Sequence, residues 1–389
     1  MQMAELSSYG GNVNRMFEAT GYFRLERENE RWWLVDPEGN QFVTIGVNHA
    51  DETNLKYDHN FDIWKTKYGS RENWIKGLSE DLKSWGFNTI GWTGDYISGD
   101  WGVALDWFGD PINLGHSQSW SAADYKHAEM PYCLQIRVSE FEDWNGNPVY
   151  PDVFSHEFEM YCDYLARSIC ADHADSKNLI GYFLVDIPAW IRHASGSDFK
   201  QLEGLYEQER SSKLYEVAAK YYETITASIR KYDTNHLILG DRFNGNKGIP
   251  EEVLKAMKPY VDVLSVQYFA SPDEAGYQQM KEDLAQWQVI ADKPVVIADI
   301  GNWCKTHMNP NRVSDIQDQA GRANDYIASL NTVLHEPWFL GWHWCAHLEN
   351  KARGWGIKNP YDEPYTDFVN PVKEFNKGVY QKIADRVKL

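Results

Sequence analysis

Six apolar runs in this chain end on residues that can move protons, attack carbon or hold hydroxyl groups. FVTIGVN runs into Asn48-His49, LIGYFLVD ends at Asp186, and HLILGDRF carries Asp241-Arg242. VDVLSVQYF ends near Gln267-Tyr268, PVVIADIG carries Asp299, and FLGWHWC carries His343-Trp344. A carboxylate so close to an apolar strand is costly unless it is hydrogen-bonded or functional. Asp186 and Asp299 suit a two-carboxyl reaction. One acid protonates a leaving oxygen while the other attacks the neighbouring carbon or activates water, which is how glycosidic bonds are cleaved. The plainer reading of either residue is an ion pair with an arginine such as Arg242. Asp241 and Arg242 can orient or tune the acid, because a nearby cation lowers a carboxyl pKa and a nearby anion raises it. Asn48 and His49 can reach a sugar hydroxyl, and His343 and Trp344 can form the floor or wall around a ring.

These residues meet only if the runs close into a ring. The eight apolar runs are Phe42–Asn48, Gly86–Trp92, Pro131–Val138, Leu179–Asp186, His236–Phe243, Val261–Phe269, Pro294–Gly301 and Phe339–Cys345. Near-continuous apolar runs are what parallel strands buried on both faces require. Helical patterns lie between them. One is capped by Ser70, repeats Trp74, Leu78, Leu82 and Trp85, and stops at Gly86. Others start near Glu157 and cover about Lys200–Lys231, Pro250–Met257, Glu274–Ile290 and Ser314–Leu334. The alternation predicts an α/β chain folded as a (β/α)8 TIM barrel, with long loops at its C-terminal face, where the active site of such barrels lies. Strands four and seven of an eight-stranded ring stand roughly opposite each other, so Asp186 and Asp299 are expected to face across a cleft. Upstream, Gly21–Asp36 alternates around a turn at Glu28–Glu30 and reads as a β-hairpin plugging the bottom of the barrel.

The 389 residues exceed the roughly 250 that such a barrel needs. No linker or repeat divides them, so one catalytic domain over 1–389 is expected, with residues 1–41 as an N-terminal extension and hairpin. The amino end, MQMAELSSYGG, lacks the basic and apolar regions of a secretion signal. The expectation is a protein kept inside the cell, or a secreted or periplasmic one already trimmed. With 57 acidic and 38 basic residues the formal net charge is −19, which disfavours nucleic acid and anionic membranes as partners. No apolar stretch approaches the ~20 residues of a membrane span. Cys133, Cys162, Cys170, Cys304 and Cys345 form no CxxC pair and read as buried small residues. The 17 Trp and 23 Tyr exceed what a core alone needs. Trp101, Trp107, Trp120, Trp144, Trp190, Trp303 and Trp355 fall in loop-like segments, where an indole face can cover a sugar ring or anchor the loop. Trp190 and Trp303, just past the two carboxylate strands, are the expected sugar platforms.

GYFRLERENERWWLVDPEGNQFVTIGVN resembles the opening of the family 50 β-agarases, and GWHWCAHLENKARGWGIKNPYDEPYTDFV resembles their last strand and loop. An acid ending strand four and a nucleophile on strand seven is the arrangement of glycoside hydrolase clan A. IGYFLVDIPAW and KPVVIADIGNW stand in those two places. The resemblance implies Asp186 as general acid and Asp299 as nucleophile or general base. It also places Tyr268 where the clan has a tyrosine bonded to the nucleophile. The implied substrate is a β-linked galactan or similar algal or plant polysaccharide, or its oligosaccharides, cleaved without a cofactor or metal. The chain departs from the pattern at both acids: Val185-Asp186 replaces Asn-Glu, and Ala298-Asp299 replaces Thr/Ala-Glu. Two shorter acids widen the carboxyl gap by roughly 1–2 Å, from the ~5–5.5 Å of retaining enzymes towards the ~6.5–9.5 Å of inverting ones. Two rival readings follow. One is a non-catalytic carbohydrate-binding barrel. The other is a metal-dependent hydrolase gathering His49, Asp186, Asp241, Asp299 and His343.

Overall fold

A computed structural model describes residues 5–57, 59–94, 96–97, 115–116, 119–350 and 355–387. Each apolar run contributes one strand to a closed barrel in chain order. The strands are β1 (Thr44–Val47), β2 (Thr89–Ile90), β3 (Tyr132–Gln135) and β4 (Leu179–Asp186). They continue with β5 (Leu237–Asn244), β6 (Leu264–Gln267), β7 (Val295–Ile300) and β8 (Phe339–Trp344). All eight neighbouring pairs are parallel, β8 pairing back to β1. The (β/α)8 architecture read from the sequence is therefore present.

Several elements are shorter than their patterns. β2 keeps two residues of its run, although Gly91 N still donates to the Val47 carbonyl and the Trp92 carbonyl accepts from His49 N. At Gly91 a Cβ would lie 2.0 Å from Asn48 Oδ1, so only glycine lets the Asn48 carboxamide pass. The helix expected over Lys200–Lys231 begins at Glu207, after a 3₁₀ turn at Lys200–Leu202. That expected over Ser314–Leu334 begins at Gln319, where the Asp318 side chain accepts from Gly321 N. The Ser70 cap is as read: its hydroxyl accepts from Asn73 N, opening Arg71–Ser84. Two closing helices, Thr366–Lys377 and Val379–Val387, lay outside the patterns read from the sequence. No helix among the described residues is long and apolar enough to cross a membrane.

Two apolar clusters follow from the pleat. Tyr182, Ile238 and Leu264 face out and pack with the helices, while Ile180, Phe183, Leu237, Leu239, Val296 and Leu340 fill the barrel interior. Phe23, Leu34 and Phe42 join that inner cluster from the N-terminal sheet. The expected hairpin, Arg24–Glu28 with Arg31–Val35, is two strands of this four-stranded antiparallel sheet.

The hairpin turns through Asn29 and Glu30 at φ 48° and 65°. Left-handed backbone at both turn residues suits Asn-Gly, and the second position here carries a Cβ. The ion pair of Glu30 with Arg27 is exposed and adds little. Glu30→Gly is therefore expected to stabilise the fold by about 1 kcal/mol, seen as a higher urea midpoint at unchanged slope. A lower midpoint would mean that the ion pair outweighs the backbone strain.

Candidate active site

Arg242 is the centre of the carboxyl-end mouth. Its Nη1 donates to Asp186 Oδ1 at 2.8 Å, and its Nη2 lies 3.6 Å from Asp299 Oδ2 and donates to the Ala298 carbonyl at 3.0 Å. The guanidinium carbon sits 5.3 Å from the Trp92 ring centre and 5.6 Å from that of Phe183. Arg242 is 1% exposed and both acids 5%, so this is a buried triad of two anions and one cation. Each acid has neutral partners too. Asn48 Nδ2 donates to Asp299 Oδ1 at 2.6 Å, while Asn48 Oδ1 accepts from Trp92 N. Gln267 Nε2 donates to Asp186 Oδ1, and Trp144 Nε1 donates to Asp186 Oδ2 at 3.3 Å. Arg137 reaches over the Trp144 ring at 5.8 Å and forks onto buried Glu142, whose pKa is raised by burial against the pull of Arg137.

Backbone irregularities aim these side chains. Between the pairs Tyr182–Ile238 and Phe183–Gly240 the register slips by one residue, and Gly240 has φ +75°. The slip leaves Leu239 facing inward, turns Asp241 outward and brings Arg242 in. Further slips between Phe183 and Asp186, and at Asp299 on β7, accompany the two acids.

The expected residues thus divide into two groups. Asp186, Asp299, Arg242, Asn48 and His49 gather at the mouth. His343 lies beneath them, its Nε2 2.9 Å from Thr44 Oγ1. Burial, and then Arg242, push its pKa down to about 3, so the ring is neutral. Asp241, expected beside the acid, faces the helix layer instead. It accepts from Tyr221 and Tyr222 of Glu207–Tyr232, from Trp190 Nε1 and from Val185 N. Trp190, expected as a sugar platform, is 2% exposed and lies against Phe199. The Tyr268 hydroxyl, expected on the nucleophile, donates to Asp283 on the helix Glu274–Ala291, and only the Tyr268 N–H donates to Asp299, at its backbone carbonyl. Trp344 packs against Tyr326 and Phe368 on the outer side. Trp303 remains half-buried at the rim, its ring centre 5.1 Å from that of Trp355. Trp120 is an anchor against Trp74 and Tyr125. Trp101 and Trp107 lie outside the described residues. All five cysteines are buried, and none of them is in a disulfide.

Gln267, Trp144 and Cys345 carry no assigned role in the sequence reading. Gln267 was legible as the inward neighbour of Tyr268, and Trp144 only as one loop indole among several. Of the five groups in the metal-dependent reading, His49 and Asp299 come together among the described residues, with Cys345 beside them.

No family model matches the chain. In sequence it resembles two proteins of Vibrio sp. (strain JT0107). β-Agarase B is 23% identical over 497 aligned positions, and β-agarase A is 25% identical over 498. Both alignments take in 97% of this chain but only 50% and 48% of those proteins, so the chain spans about half the length of the curated relatives it matches. Among solved structures, an exo-β-agarase superposes with a TM-score of 0.75 at 18% identity, covering 97% of this chain and 68% of that one. An agarase superposes with a TM-score of 0.75 at 19% identity, covering 98% and 67%. At these identities the structural likeness is one of fold.

The Asp241 network yields a pH signature. Burial raises its pKa to about 6, although Tyr222, Trp190, Val185 N and Tyr221 all pull it down. The unfolded value is about 3.9, so the folded state binds this proton more tightly. The linked stabilisation is complete below about pH 4 and is lost as pH rises through 6. In urea unfolding at stepped pH, stability of the parent minus that of Asp241→Asn is expected to fall by about 2–3 kcal/mol between pH 4 and pH 7. A flat or rising difference would contradict the assignment.

Proposed function

We propose that the chain is a glycoside hydrolase acting on a β-linked galactan of the agarose type, or on its oligosaccharides. Asp186 serves as general acid and Asp299 as nucleophile or general base. The observation that carries this reading is the convergence of acids from β4 and β7 on the single guanidinium of Arg242, at the mouth where barrel active sites are built. The sequence relationship to two β-agarases supports the substrate class.

The surroundings suit the two roles differently. Asp299 is held by Asn48 through one oxygen, a fixed orientation that a nucleophile or base requires. Asp186 is surrounded by donors in this structure, as an ionised carboxylate would be. Its third partner, Gln267, can follow a change of state. Turning its carboxamide presents the oxygen as acceptor to a protonated acid, whereas a guanidinium offers donors alone. In the reaction Asp186 first takes up a proton from solvent as Gln267 turns, then passes it to the glycosidic oxygen while Asp299 attacks the anomeric carbon or draws a proton from water. Trp303 and Trp355 supply an aromatic rim on which a ring can lie.

The donors crowding Asp186 also favour a second reading, a barrel that binds carbohydrate without cleaving it. Defined agaro-oligosaccharides separate the two, with hydrolysis and equilibrium binding measured on the same samples. The parent chain is expected to cleave, and Asp186→Asn and Asp299→Asn to lose on the order of 10²–10⁴-fold in kcat while keeping their circular dichroism and their binding. Binding without turnover in the parent chain selects the second reading. Unchanged turnover in either variant removes that residue from the mechanism.

A further inference from the structure

The floor of the same mouth carries a second donor set. His49 follows β1, Asp299 lies on β7, and Cys345 follows β8. One imidazole nitrogen, one carboxylate oxygen and the thiol sulfur all lie within 4.8 Å of one another. All three residues are buried. His49 Nδ1 is 2.9 Å from the Gly94 carbonyl oxygen. A carbonyl only accepts, so Nδ1 carries a proton, and Nε2 is the nitrogen that a metal would take. A backbone carbonyl fixing the far nitrogen is the usual support of a metal-bound imidazole. His49 itself stands at φ 54°, a left-handed conformation uncommon outside glycine and frequent at functional positions. Asp299 is anchored by Asn48, and Cys345 by its own N–H to the Ile300 carbonyl at 2.8 Å.

We propose that His49, Asp299 and Cys345 form a binding site for a thiophilic divalent cation such as Zn²⁺, and that filling it stops the carboxylate chemistry of Asp299. Thiolate, imidazole and carboxylate are the donor classes that zinc accepts, at about 2.3, 2.0–2.1 and 2.0–2.2 Å respectively. Donors around such an ion stand about 3.5 Å apart, so the cluster closes onto it with movements of about 1 Å. Three protein ligands leave the fourth tetrahedral position for water or a ligand from the cleft. As the sulfur–metal bond forms, the thiol releases its proton to solvent, and the two anionic donors offset the ion's charge. Arg242, 3.6 Å from Asp299 Oδ2, opposes the cation, while the −19 net charge of the chain draws cations in. The inhibitory consequence rests on the role proposed for Asp299; the site itself does not.

Cobalt titration of the metal-free full chain tests the site. At one equivalent of Co²⁺, a thiolate-to-cobalt charge-transfer band and visible tetrahedral bands are expected, and Zn²⁺ displaces both. Cys345→Ser loses the charge-transfer band, and both it and His49→Gln weaken Zn²⁺ binding about 100-fold or more, with circular dichroism unchanged. A parent chain without the charge-transfer band, or a band that persists in Cys345→Ser, overturns the site. Inhibition is read separately, on agaro-oligosaccharide hydrolysis. Stoichiometric Zn²⁺ is expected to stop the parent chain reversibly by chelation and to spare Cys345→Ser. Full or increased turnover with the site saturated overturns the inhibitory role. A chain without any hydrolytic activity removes that role together with the proposed function, and the cobalt spectra still decide the site.

Discussion

The arrangement at the mouth depends on Arg242 standing between two buried acids. Two carboxylates held apart from water repel each other, and one cation between them makes their proximity tolerable. The guanidinium is suited to this because it stays charged and its fork can address two partners in fixed directions. It is itself enclosed by Trp92 and Phe183, whose ring faces attract a cation. Removing one member of such a buried set typically costs about 3–5 kcal/mol, because the remaining charges lose compensation. The same cation sets the limits of the chemistry, since whatever Asp186 and Asp299 do is done beside a fixed positive charge.

Around that centre the barrel divides its polar residues between two layers. The inward set, Asn48, Asp186, Arg242, Gln267 and Asp299, forms one hydrogen-bonded group across five strands. The outward set ties β4 and β5 to the helix Glu207–Tyr232 through Asp241, Tyr221, Tyr222 and Trp190. Asp241 also accepts from Val185 N, the peptide just before Asp186. The outer network thereby holds the strand end that presents the acid. Beneath both, Phe23, Leu34 and Phe42 of the N-terminal sheet fill the lower barrel.

Much of this was legible in the residues. Continuous apolar runs located all eight strands, and the Ser70 cap and Gly86 stop located a helix, because burial on two faces and helix capping leave local marks. The strand-end rule put Asp186, Asp299 and Asn48 in one place. It failed where the outcome depended on which way a strand-end side chain turns. Asp241 and Arg242 are adjacent, and a pleat sends neighbours to opposite faces, so one had to leave the cleft. Which one is decided by the slip at Gly240, a backbone feature without a side-chain signature. Tyr268 and Trp344 are lost to the outer layer by the same alternation, one residue past Gln267 and His343. Cys345 was invisible for another reason: its neighbours in space, His49 after β1 and Asp299 on β7, are 296 and 46 residues away in the chain.

The dihedral of Gly240 therefore settles an electrical question. Were β5 to run as an unbroken pleat, Asp241 would point to the axis and Arg242 to the helices. The middle of the mouth would then hold three anions in place of an anion–cation–anion triplet. The polarity at the heart of this barrel is written in the backbone angle of one residue that has no side chain and carries no charge.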